Sequence, residues 1–229
     1  MKVTLLRSTE SPEEIIALSA KICHAHEKGS DLKLNPDEIR RLLNVTTKFH
    51  HDSILEHVNF TFLIEDISRS LSHQLVRHRL CTFHQASQRY VKVEDLANDI
   101  VIPESISKNS EALETFINTV KVIQETYEGL VRAGIPKEDA RYILPNATKT
   151  QLIFSTNARN LIHILGHRLC NRAMPEFREL ADEILKICRK VMPDIFNLVG
   201  PNCFMQDGKC PEGQIGCRKS EEMKKKYTV

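Results

Sequence analysis

The chain has 229 residues, a formal net charge of +2, 41% hydrophobic residues and 27% charged residues. These proportions suit an ordinary globular domain and exclude wholesale disorder, and no apolar run of about 18 residues exists to span a bilayer. The opening, MKVTLLRSTESPEE, lacks a signal peptide's apolar centre, and the seven Cys are odd in number, so a cytoplasmic protein with free or metal-bound thiols is expected.

In chain order, Lys2–Arg7 reads as a short strand. Ser11, Pro12, Glu13 and Glu14 read as the N-cap and first turn of a helix running to about Glu27. Asn35–Pro36 opens a second helix, through about Lys48. Val58, Phe60, Phe62 and Ile64 alternate with polar residues, which predicts a half-buried strand over Val58–Ile67. A helix from about Ser68 to Arg79 follows, with Ile67, Leu71 and Leu75 on its buried face. Arg89–Val93 is expected to be a strand, with His84, Gln85 and Ala86 in a loop before it. Ser110–Arg132 is a long amphipathic helix ending at Gly134. A short helix from Pro136 to Leu144, a strand over Thr148–Ser155 and helices over Asn157–Arg172 and Pro175–Val191 complete the series. The fold class expected is α/β (α+β), a single domain over residues 1–200 with a central sheet flanked by helices, and a Cys-containing tail over 201–229.

The charges are unevenly placed. From Ile67 to Val93 there is no Asp or Glu, but there are Arg69, Arg77, Arg79, Arg89 and Lys92. From Ala140 to Pro175 there is again no acid, but there are Arg141, Lys149, Arg159, Arg168 and Arg172. Surfaces normally mix signs, so two long acid-free stretches point to anion binding. Nucleic acid is disfavoured: the whole chain is nearly neutral, lacks zinc-finger spacing, has no Trp and is only 6% aromatic. Arg interleaved with His, Gln, Ser and Asn suits small phosphorylated ligands. The eight Gly form no phosphate-cradling loop, so side chains must hold the phosphates. An RNA-binding module using the basic stretches is the reading to set against this one.

Within the first stretch, Arg77-His78-Arg79 is followed after seven residues by Ser87, with Gln74 before it and Arg89-Tyr90 after it. This pattern closely resembles the signature of the flavin-dependent thymidylate synthases, the ThyX family. Three more blocks resemble the family in the same order: His51 to His57, Ala140 to Pro145, and Asn157-Ala158-Arg159 through His163 to Arg168. The resemblance implies an α/β fold and a homotetramer with shared sites. It also implies reductive methylation of dUMP to dTMP, with methylenetetrahydrofolate as one-carbon donor and FAD, reduced by NADPH, as hydride source. By the same resemblance, His51, Ser53, Glu56, Arg77, His78, Arg79, Asn157, Arg159 and His163 match flavin positions. Gln74, Gln85, Ser87, Arg89, Arg141 and Arg168 match nucleotide positions. Arg168 is expected to activate the pyrimidine electrostatically, and His51 to position folate or assist proton transfer. A flavin-dependent NADPH oxidoreductase without methyl transfer is the alternative within this frame.

Three residues depart from the family pattern: Cys23 where Ser is frequent, His163 where Asn is common, and Gln85 where Glu also occurs. In the tail, Cys203, Cys210 and Cys217 lie six residues apart within a Gly/Pro-rich stretch. Free thiols and no metal are the default. The alternative is a zinc ion held by these three with Cys170 or a His as fourth ligand.

Overall fold

The structure is a computed structural model and describes residues 1–49 and 51–229. Four strands, β1 (Lys2–Ser8), β2 (Asn59–Ser68), β3 (Cys81–Gln85) and β4 (Lys149–Asn157), form one sheet in the order β1-β2-β4-β3. The helices are α1 (Pro12–Ile22), α2 (Pro36–Lys48), α3 (Arg69–Leu75), α4 (Glu104–Ser107), α5 (Ser110–Arg132), α6 (Lys137–Ala140), α7 (Ala158–Arg168), α8 (Pro175–Val191), α9 (Pro193–Phe196), α10 (Asn202–Met205) and α11 (Ser220–Tyr227). None is long and apolar enough to cross a membrane. The chain divides into two compact units, each made of separated stretches.

The first unit comprises Met1–Lys2, Leu63–Arg79 and Phe83–Phe154. Its antiparallel pairing is fixed by Arg69 N–H donating to Thr148 O and Ala86 N–H to Gln151 O, both at 3.0 Å. α5 is amphipathic and buries Val120 and Tyr127 in a cluster with Val93, Leu96, Ile100 and Ala140. Asn109 caps it, its side chain accepting from Ala112 N–H at 3.1 Å, which satisfies one orphan donor of the first turn.

The second unit comprises Val3–Phe62, Leu80–Thr82 and Ser155–Val229. Thr9 N–H to Asn59 O at 3.0 Å and Ala158 N–H to Val58 O at 2.7 Å set the register there. Phe60 is fully buried and meets the Phe196 ring edge-on at 5.7 Å. α7 and α8 bury Leu161, Leu165, Phe177, Leu180 and Ile184, the spacing expected of apolar stripes facing a core.

Several expected boundaries shift for local reasons. Ser11 sits at φ 43 and makes no side-chain cap, and α1 stops at Ile22 rather than near Glu27. No strand forms at Arg89–Val93, because Ser87 Oγ accepts from Arg89 N–H at 3.2 Å and Ser87 O accepts from Tyr90 and Val91. A hydroxyl that captures the backbone this way offers it a turn instead of a ladder. The strand is β3, so His84 and Gln85 lie on a strand and not in a loop. α3 ends at Leu75, four residues short, and α7 ends at Arg168, also four residues short. The helix expected from Pro136 to Leu144 divides into α6 and a single 3₁₀ turn, Arg141–Ile143.

Candidate active site

In the first unit, Ser68 caps α3, its Oγ accepting from Leu71 N–H at 3.0 Å. The buried side of α3 is Leu71, Ser72 and Leu75, which leaves Gln74 half-buried at its C-terminal end. Arg77 and Arg79 follow in a turn and are exposed, while His78 is half-buried. Leu80 has φ 61 and is 82% exposed. A branched side chain in the left-handed region is strained, and that kink redirects the chain from the Arg-His-Arg turn into β3.

Gln85 Nε2 donates to Ser72 Oγ at 2.8 Å and to Thr150 Oγ1 at 3.2 Å. Arg69 Nη2 donates to Ala86 O at 2.6 Å, while its Nε is buried without a hydrogen-bond partner. Burial lowers the Arg69 pKa, and the Arg141 charge lowers it further. Arg89 pairs with Glu138 at 2.8 Å, and Arg141 Nε donates to the Glu138 carbonyl at 3.1 Å. Glu138 thus gathers two of the expected nucleotide residues. A pocket of about 300 Å³ lies in this unit. Ser87 is the one expected nucleotide residue on its wall, beside Arg69, and Glu65, Asp66 and Asp99 make the pocket mixed in charge.

In the second unit, a 3₁₀ segment, Asp52–His57, buries Ile54 and Leu55 and turns Ser53 and Glu56 outward. His51 is exposed at its start. Asn157 caps α7, its side chain accepting from Asn160 N–H at 2.9 Å. Arg159 Nη1 reaches Glu56 Oε1 at 2.5 Å. The rings of His163 and His167 meet edge-on at 4.7 Å. Arg168, at the last turn of α7, is half-buried with its guanidinium 4.6 Å from the Phe177 ring. Burial lowers its pKa. A guanidinium remains charged regardless, so Arg168 holds a fixed cation in a poorly screened place. Cys23 is exposed on the surface of this unit.

The expected residues therefore fall into two sets. Gln74, Arg77, His78, Arg79, Gln85, Ser87, Arg89 and Arg141 belong to the first unit, and His51, Ser53, Glu56, Asn157, Arg159, His163 and Arg168 to the second. Two structural partners lie outside the matched positions, although Arg69 was among the cations of the first acid-free stretch. Arg69 holds the Ala86 carbonyl, and Asn160 Nδ2 donates at 3.0 Å to both Thr156 Oγ1 and Cys81 Sγ. Asn160 sits in α7, where nothing in the local pattern separates it from solvent-facing residues.

The fold has known relatives. A UMP/dUMP methylase, PolB, of Streptomyces cacaoi, solved with 5-Br dUMP, superposes with a TM-score of 0.73 at 24% identity, over 85% of this chain and 92% of that one. That likeness is one of fold. The family model for thymidylate synthase complementing protein matches residues 4–194. The flavin-dependent thymidylate synthase of Geobacter sulfurreducens is 42% identical over 99% of this chain and 98% of its own length. That of Pyrococcus horikoshii is 41% identical over 96% and 94% respectively. The chain belongs to the flavin-dependent thymidylate synthase family.

Proposed function

We propose that the protein catalyses the reductive methylation of dUMP to dTMP in the cytoplasm, with methylenetetrahydrofolate as one-carbon donor and FAD, reduced by NADPH, as hydride source. The reading rests on one observation above all. The acid-free Arg77-to-Arg89 segment sets a series of cationic and amide side chains around a strained turn, with Gln85 fixed by two hydroxyls behind it. Residues 1–200 carry the activity, and 201–229 are a Cys-containing tail.

The donor chemistry suits a flavin dinucleotide. Its diphosphate needs cations and N–H donors, and Arg77, Arg79 and Arg159 are exposed while Asn157 caps α7 and His163 stands on it. With Ser53, Glu56 and His78, these would hold FAD, which when bound supplies the hydride. Gln74, Gln85, Ser87, Arg89 and Arg141 would hold dUMP. Arg168, with its charge fixed against Phe177, would draw negative charge onto the uracil carbonyls and so favour nucleophilic attack from the ring carbon. His51 would orient folate or move a proton.

A homotetramer with shared sites is part of the reading. Leu80, Tyr90 and Tyr142 are 82%, 74% and 83% exposed, and each is the chain neighbour of an expected ligand, Arg79, Arg89 or Arg141. Large apolar side chains left open beside ligand positions are what a second copy would cover.

The test is the double variant Arg77→Ala with Arg79→Ala, compared with the parent for bound yellow cofactor, dTMP formation and mass by light scattering. The parent is expected to hold FAD, form dTMP and run as a tetramer, while the variant folds without FAD. Parent protein that oxidises NADPH without forming dTMP would show an oxidoreductase instead. A colourless parent that binds RNA would overturn the assignment.

A further inference from the structure

The fork of Arg89 is already closed on an acid of the same chain. Its Nε and Nη2 both donate to Glu138 Oε2, at 2.9 and 2.8 Å. Arg141, one turn after Glu138, donates from Nε to the Glu138 carbonyl at 3.1 Å. Two cations expected at the nucleotide therefore meet at one residue, and one of them is held by its carboxylate. Two short pieces of the first unit set this meeting. Ser87 Oγ accepts from Arg89 N–H at 3.2 Å, and Ser87 O accepts from Tyr90 and Val91, which fixes the turn that carries Arg89. α6 lies alongside, and Lys137 Nζ donates to Tyr90 O at 3.3 Å. Neighbours on α6 thus grip neighbours on the turn, Lys137 through the backbone and Glu138 through charge.

Glu138 stands just before the second acid-free stretch, which begins at Ala140. From there it supplies the negative charge that the stretch itself lacks. A carboxylate offers a guanidinium the same kind of acceptor oxygen as a phosphate does. Both partners are about half-exposed, at 52% and 49%. An ion pair so open to water is weak, so it can be exchanged. A phosphomonoester carries about −1.5 to −2 charge and three acceptor oxygens at neutral pH, against a single charge on Glu138. The phosphate therefore prevails at the fork, and the flexible Glu138 side chain swings into solvent.

We propose that Glu138 is the resident counter-ion of the nucleotide's phosphate: it holds Arg89 when the site is empty, yields it to dUMP, and takes it back as the product leaves. This role rests on the proposed methylation, which is what makes Arg89 and Arg141 nucleotide residues. The phosphate is the same in dUMP and dTMP, so Glu138 competes equally with substrate and product. Such competition lowers the affinity for both and leaves the chemistry at the pyrimidine alone. It keeps the product from holding the site. It also offsets the repulsion between Arg89 and Arg141 in the free protein.

The experiment uses the full chain loaded with FAD. Calorimetric titration gives the Kd of dUMP, dTMP and deoxyuridine for the parent, Glu138→Gln and Asp139→Asn. Gln keeps the size of the side chain and removes its charge. Asp139→Asn removes the same charge from the exposed residue next to it. Glu138→Gln is expected to tighten dUMP and dTMP alike, by about two- to fivefold, the scale of an exposed ion pair. Deoxyuridine binding should not change, since a nucleoside brings no phosphate. Asp139→Asn should have a much smaller effect. In turnover, KM for dUMP should fall in Glu138→Gln while kcat does not rise.

Weaker dUMP binding in Glu138→Gln would overturn the proposal and make Glu138 a clamp that positions Arg89 in the loaded site. Unchanged affinities would overturn it too, as would an equal gain from Asp139→Asn, the mark of net charge alone. A parent that binds dUMP no better than deoxyuridine, or binds neither, would overturn the nucleotide assignment itself, and this proposal with it, before any variant is compared.

Discussion

Arg159 Nη1 donates to Glu56 Oε1 at 2.5 Å, joining the first turn of α7 to a 3₁₀ segment 103 residues earlier. Both side chains are about half-exposed, at 52% and 49%. An ion pair so open to water contributes about 0–1 kcal/mol to stability. Its consequence is positional, since Glu56 restricts where the Arg159 fork points. Glu56→Gln is therefore expected to leave the urea midpoint nearly unchanged while weakening FAD binding by about tenfold, near 1.4 kcal/mol. Flavin titration beside a denaturation curve checks both halves.

Ser87 is the conspicuous hydroxyl of the motif, but its Oγ already accepts from Arg89 N–H. His84, the nearest His in sequence, is exposed on β3, and no hydrogen bond links it to Ser87 among the described residues. A serine without a base is a donor, not a nucleophile. Ser87→Ala should weaken dUMP binding by about 0.5–1.5 kcal/mol, the loss of one hydrogen bond, and slow turnover without abolishing it. Cys81→Ala should stay active, because burial raises that thiol's pKa and keeps it protonated. Arg168→Ala should cost about 10²-fold or more in kcat, the scale of losing a preorganised charge stabiliser. A turnover assay at saturating dUMP ranks the three, and a trapped Ser87 adduct would reverse the order.

His167 yields a pH prediction. Burial first, then the positive charge of His163 and Arg168, hold its pKa below the ordinary 6.5. The folded state therefore binds fewer protons than the unfolded state between the two values. Its stabilising effect is complete above the unfolded pKa and is lost as pH falls through the folded pKa. His167→Gln should flatten that acid-side decline relative to the parent. Unfolding midpoints measured from neutral pH downward provide the comparison.

Tyr127 is fully buried in the core of the first unit, and its hydroxyl has no hydrogen-bond partner. A buried polar group left unpaired is a cost to the fold. Tyr127→Phe keeps the ring and removes that cost, so it should stabilise by about 1 kcal/mol. Tyr127→Ala empties the same space and should destabilise by about 3–5 kcal/mol. Denaturation of both variants distinguishes the hydroxyl from the ring.

The bounds of α5 and α8, Ser110–Arg132 and Pro175–Val191, were legible from the chain. The amphipathic spacing of α5, its stop at Gly134 and the Pro that opens α8 are signals carried within a few residues. The anion-binding character proposed for the site is a reading of the same kind. Arg77, His78, Arg79, Ser87 and Arg89 form a dense local pattern without acids, which points to an anion, while flavin and dUMP entered only through the resemblance to a family. β3 was not legible. It is five polar-rich residues long, and its existence depends on a ladder such as Ala86 N–H to Gln151 O, formed with a strand more than sixty residues later. The absence of a strand at Arg89–Val93 turned on a single hydroxyl, Ser87, competing for the backbone. Pairings such as Gln85 with Ser72 and Thr150, Arg159 with Glu56, and Arg172 with the Cys210–Cys217 turn were settled by tertiary structure alone. Side-chain contacts across such separations follow from strand register and helix packing, and neither is encoded within any window of sequence short enough to show a periodicity.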